Sequence, residues 1–169
     1  MSAGVLVTIA TGLLQLIAMS VTSVRAAAGD TSALLRAIQK MEQLRGLAWT
    51  YDTSRRRLSD FTTDASAGAA RSGGRGLTNS PPDSLTRNVP GYVDFLDSSG
   101  QTIGSGSTPP SGTAFVRRWA IGSVDPVGLD TLVVMVVVVP MPLIARSRDG
   151  AIQLDDPGVV WLMSVRGRR

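Results

Sequence analysis

The chain has 169 residues, a net charge of +4, and neither cysteine nor histidine. Disulfides, thiol nucleophiles, imidazole bases and most transition-metal sites are therefore excluded, whereas catalysis by carboxylates remains open. Of the 17 basic residues only Lys40 is a lysine, and the arginines form no stripe with interleaved aromatics, so a nucleic-acid partner is not expected.

Residues 1–24 carry no charged side chain. As a helix they would reach about 36 Å, enough to cross a bilayer core of about 30 Å. Val5, Leu6, Ile9, Leu13, Leu16 and Ile17 supply the apolar surface; Gly4, Gly12 and Ala18 are small enough for close helix packing. No basic residue precedes the run, unlike a secretory signal, although Ala26-Ala27-Ala28 fits a cleavage site. Arg25 suits the end of a membrane segment.

From Asp30 the pattern becomes amphipathic. Leu34, Ala37, Ile38, Met41, Leu44 and Ala48 recur at helical spacing and define a stripe expected to pack on a sheet. Arg36, Gln39, Lys40 and Gln43 fall mostly off that stripe. Gly29 is a candidate melting or bending point, Asp30 a candidate cap, and Gly46 a candidate stop.

Residues 49–91 are mostly rich in Gly, Ser, Pro and Arg and read as a variable loop. The period then changes to two. Four strands are predicted: Tyr92–Leu96, Thr113–Val124, Thr131–Val139 and Gly158–Arg166, with Phe115 and Trp119 as core candidates. The aspartate pairs Asp94/Asp97, Asp125/Asp130 and Asp155/Asp156 are assigned to turns, where the carboxylate bonds its own backbone. No phosphate loop, calcium loop or catalytic constellation emerges, and no cofactor or metal is expected.

The resulting expectation is an α+β fold. A long N-terminal helix, apolar in its first half and amphipathic in its second, packs on a four-stranded antiparallel sheet. The expected divisions are 1–28 (apolar helix), 29–48 (amphipathic continuation), 49–91 (variable loop) and 92–169 (sheet).

In that pattern, and in the stretches "VLVTIATGLLQL", "QKMEQLRGLAWTYD", "GLTNSPPDSLTRNVPGYVDFLDSSGQTIGSGSTPPSG", "VRRWAI" and "LMSVRGRR", the chain resembles the type IV pilin-like proteins. Within that group it is similar to the minor pilins and the type II secretion pseudopilins that carry prepilin-type N-terminal methylation. The family's basic leader, its Gly-Phe-Thr-Leu motif and its early glutamate have no counterpart before Asp30. The start is therefore expected either to lie upstream or to escape normal processing.

The resemblance implies a non-enzymatic, pilin-like subunit. It would be a single-pass protein of the bacterial inner membrane, with its globular domain outside the cytoplasm. Its partners would be other pilin or pseudopilin subunits and the assembly platform. Two alternatives stay open: an exported β-rich binding domain released after Ala28, and a membrane-tethered enzyme using carboxylates.

Overall fold

The computed structural model describes residues 19–20, 27–47, 49–51, 57–59, 77–124, 131–147 and 151–167. Helix α1 covers residues 27–46. Its sequence is rich in alanine, leucine and other strong helix formers. An exposed Glu42–Arg45 pair at 2.9 Å lies on its surface and contributes a few tenths of a kcal/mol. The helix runs through Gly29 and Asp30 without interruption, so Asp30 is not a cap. It ends at Gly46, where the Leu47 amide turns back to the Leu44 carbonyl at 3.3 Å.

Strands β1 (Trp49–Tyr51) and β2 (Arg57–Ser59) form a separate antiparallel pair. The main sheet has five antiparallel strands: β3 (Val93–Leu96), β4 (Thr102–Gly104), β5 (Phe115–Ser123), β6 (Thr131–Pro140) and β7 (Val160–Gly167). Their order is β4-β3-β5-β6-β7. The β3–β4 turn is set by Asp97, whose carboxylate accepts from the Ser99 hydroxyl (2.6 Å) and the Gln101 amide (2.9 Å). Gly100 sits in that turn at φ +90°, a conformation that favours glycine. A short helix, α2 (Met141–Arg146), starts directly after β6 with Pro142 in its first turn.

Side-chain alternation along β5 sorts the core into two layers. Phe115, Arg117, Trp119 and Ile121 share the face toward α1. There Ala33, Ala37, Met41, Leu44 and Leu47 join Tyr92, Trp119, Ile121, Leu132, Val134, Val136 and Val138 in one cluster. The other face holds Val93, Phe95, Val116, Val137 and Val139 under Ile144 of α2 and Ile152. The valine run of β6 follows from this. Val136–Val139 are buried on both faces, whereas residues 131–135 alternate because only α1's side is covered there.

The sequence expectation of a long N-terminal helix on a four-stranded sheet is thus corrected. The sheet has five strands, and the described helix on it is the 20-residue segment 27–46. The extra strand, β4, has only three residues, set between Gly100 and Gly106; it becomes a strand only by pairing with β3. The residues expected to pack the apolar helix, Gly4, Val5, Leu6, Ile9, Gly12, Leu13, Leu16, Ile17 and Ala18, lie outside the described residues.

Candidate functional site

The most concentrated polar chemistry lies between α1 and the sheet. Asp94 projects from β3 toward the helix and is 1% exposed, as is Lys40. The Lys40 ammonium lies 2.7 Å from Asp94 Oδ2. Arg117, from the neighbouring position on β5, donates to the same oxygen through Nη2 at 2.8 Å and Nε at 3.2 Å. Its Nη1 reaches the helix, donating to the Arg36 carbonyl and Gln39 Oε1, each at 3.2 Å. One carboxylate therefore holds two buried cations, and one of those cations bonds to the helix backbone.

The aromatic residues of β5 extend this arrangement. The Lys40 ammonium stands 3.8 Å above the centre of the Trp119 ring. One helical turn earlier, the Arg36 guanidinium stands 4.2 Å above Phe115. Such cation–π contacts contribute about 0.5–2 kcal/mol, more where water is excluded. At the far end of the helix, Arg166 of β7 donates to the carbonyls of Leu44 (3.5 Å) and Leu47 (3.0 Å). A cation there complements the negative end of the helix dipole. The helix is thus fastened to the sheet at three successive levels.

These contacts change the expected facing of α1. Met41 and Leu44 pack on the sheet with Trp119, and Phe115 is half-buried against the same cluster. Leu34 and Ile38, expected on that interface, instead remain 39% and 42% exposed. The side chains that turn inward are Ala33, Arg36, Ala37 and Lys40. The apolar pattern alone points to the branched residues. The actual interface uses alanines that let the helix approach closely, and places Lys40 where Asp94 can neutralise it. Asp94, expected in a turn, is instead a core strand residue. The available signal was the coincidence of the chain's one lysine at helical spacing from Ala33, Ala37 and Leu44 with an aspartate inside an apolar strand.

The other paired aspartates behave as turn residues where they are described. Asp97 is held below its usual value of 3.8, chiefly by the Ser99 hydroxyl. Asp156 accepts from the Gln153 amide at 3.0 Å; Asp125 and Asp130 lie outside the described residues. On the other face of the sheet, buried Arg118 donates to Asn88 Oδ1 at 3.0 Å and to the Thr86 carbonyl at 2.5 Å. Desolvation brings its guanidinium down to about 10. No cluster of three metal-ligating side chains occurs among the described residues.

Among the described residues, exposed large apolar side chains group at two places. On α1 they are Leu34, Leu35 and Ile38, with Leu35 the most exposed at 63%. On the edge strand β7 they are Trp161, Met163 and Val165, which align across the sheet with Val137, Met135 and Val133 of β6. No described helix is long and apolar enough to cross a membrane. Comparison of the chain with models of protein families, with characterised proteins and with solved structures yields no match.

Proposed function

We propose that the chain is a non-enzymatic structural subunit of the minor pilin or secretion pseudopilin kind. It is held at the membrane, and packed into an assembly, through its N-terminal segment and the outer side of α1. The observation that carries this reading is that the apolar surface of α1 is wider than the sheet covers. The buried stripe packs on the sheet, and the flank beside it, formed by Leu34, Leu35 and Ile38, faces outward. An apolar flank left outside a domain's own core favours contact with another element. The uncharged residues 1–24 lie immediately upstream, continuing the same apolar character.

The mechanism is mechanical. Copies associate by burying apolar helix surface. The Lys40–Asp94–Arg117 cluster fixes α1 to the sheet, so that force on the helix is carried into the globular part rather than peeling the helix away. The subunit's partners are other copies or related subunits, the membrane and an assembly platform.

The chain has no native cysteine, so single-cysteine crosslinking gives a direct test. In membranes containing the full chain, Ile38→Cys is expected to form disulfide-linked dimers under mild oxidation. Gln43→Cys, on a polar part of the helix, is expected to form far fewer. Equal crosslinking at both positions, or none at Ile38→Cys, would overturn the reading. The alternative, an exported binding domain released after Ala28, is favoured by the outward Trp161, Met163 and Val165 on β7. A mature N-terminus at Gly29, read by mass spectrometry, would establish it instead.

A further inference from the structure

The two edges of the main sheet differ. β4 has three residues and pairs with β3 through a register shift, and both features blunt an edge. β7, at the other edge, has eight residues that pair with β6 without interruption. Among the described residues no strand lies on its outer side. β7 contains no proline. Its one charged side chain, Arg166, is turned to α1 and bonded to the Leu44 and Leu47 carbonyls. The outer backbone of β7 therefore offers N–H and C=O groups to a further strand.

The side chains say which strand fits. Trp161, Met163 and Val165 point away from α1 and are 48%, 57% and 58% exposed. Residues directly opposite in an antiparallel pair share a face. A second β7, set antiparallel about a two-fold axis at Met163, matches this row to itself. Met163 then faces Met163 of the second copy, and Trp161 of each copy faces Val165 of the other. A two-residue shift either way sets one of the three against Val159 or Gly167, outside the row. On the α1 side, Leu162 meets Ser164 and Val160 meets Arg166, so no like charges are opposed.

Charge sets the direction. Exposed Asp155 and Asp156 precede β7, and Arg168 and Arg169 follow it in the sequence. Antiparallel pairing brings the basic end of each copy to the acidic start of the other, whereas parallel pairing would set like beside like.

We propose that β7 is a self-pairing edge, through which two copies of this chain join their sheets with Met163 on the two-fold axis. The contact is isologous. Addition of one short strand is small beside the roughly 1,200 Å² at which stable interfaces begin, so the pair is reversible. The axis passes through the sheet, which sets both α1 helices on one face, running in opposite directions. The contact is thus separate from association through α1; it goes beyond the assembly reading and does not depend on it.

The test uses single-cysteine variants of the full chain in a non-ionic detergent, oxidised mildly at concentrations raised through the micromolar range. Met163→Cys places two thiols across the axis. It is expected to give about tenfold more disulfide-linked dimer than Ile103→Cys on the blunted edge β4. Trp161→Cys and Val165→Cys, each alone, are expected to stay near the Ile103→Cys level, and a mixture of the two to crosslink well above it. Replacing Arg168 and Arg169 by glutamate in the Met163→Cys chain is expected to lower its yield about fivefold, since acidic ends would then meet acidic starts. All these cysteines lie on the sheet, so failure of the α1 contact leaves the outcome unchanged. Met163→Cys no better than Ile103→Cys, Trp161→Cys alone crosslinking as well as the mixture, or an unaltered yield with the acidic tail would overturn the proposal.

Discussion

Replacing Asp94 by asparagine keeps the side chain's shape and removes its charge. Lys40 and Arg117 would then remain buried beside a neutral amide, since both are almost fully shielded from water. Removing one partner of a buried ion pair costs about 3–5 kcal/mol, because the survivor's desolvation is no longer offset. Here two cations lose the same carboxylate, which places the expected cost at the upper part of that range. Against a typical total stability of about 5–15 kcal/mol this is a large fraction. For a chain of this size it corresponds to a fall in Tm of about 10 °C or more.

Lys40→Met is expected to cost much less, about 1–2 kcal/mol. Asp94 would keep both Arg117 contacts, at 2.8 and 3.2 Å, and methionine would replace the ammonium over the Trp119 ring. The assay is urea unfolding of the full chain in detergent, followed by circular dichroism and tryptophan fluorescence, with the double variant completing a cycle. Favourable coupling of at least about 1 kcal/mol is expected between the two positions. If Asp94→Asn costs under about 1 kcal/mol, or Lys40→Met costs as much as Asp94→Asn, the cluster does not fasten the helix as described.

The facing of α1 gives a paired prediction. Ala37→Leu adds bulk where no space is exposed and is expected to cost about 1–3 kcal/mol, whereas Ile38→Ala on the outer side is expected to stay within about 0.5 kcal/mol; urea midpoints decide between them. Gly29 lies within α1 with open space where a Cβ would go, so Gly29→Ala is expected to stabilise by roughly 0.5–1 kcal/mol, visible as a raised Tm. Asp97 has a folded pKa below its reference of 3.8, chiefly through the Ser99 hydroxyl, so its contribution to stability is present above 3.8 and is lost as pH falls through the folded value. Ser99→Ala is expected to move the Asp97 titration up toward 3.8 by carboxyl-carbon NMR; its stability deficit should be present at pH 6 and fade once Asp97 is protonated in both proteins.

Some features were legible in the residues alone. The apolar spacing from residue 34 onward marks a helix, Gly46 marks its end, and the β-branched run at 131–139 marks a central strand. Periodicity reports such elements because it is a local property of the chain. The three-residue β4 escaped because so short a segment has no period of its own; its partner β3 defines it. The ion cluster escaped for a related reason: Lys40, Asp94 and Arg117 are far apart in sequence, and only the register of β3 on β5 and the rotation of α1 bring each cation within 3 Å of the Asp94 carboxylate.

The sequence by itself determined that this protein has no thiol or imidazole chemistry, that its first 24 residues are uncharged, and that a helix precedes a set of strands. Tertiary structure alone decided which side of the helix is inside. A hydrophobic pattern ranks residues by their affinity for water. Close approach to the sheet favours Ala33 and Ala37, and neutralisation by Asp94 allows Lys40 to be buried while Leu34 and Ile38 stay partly outside.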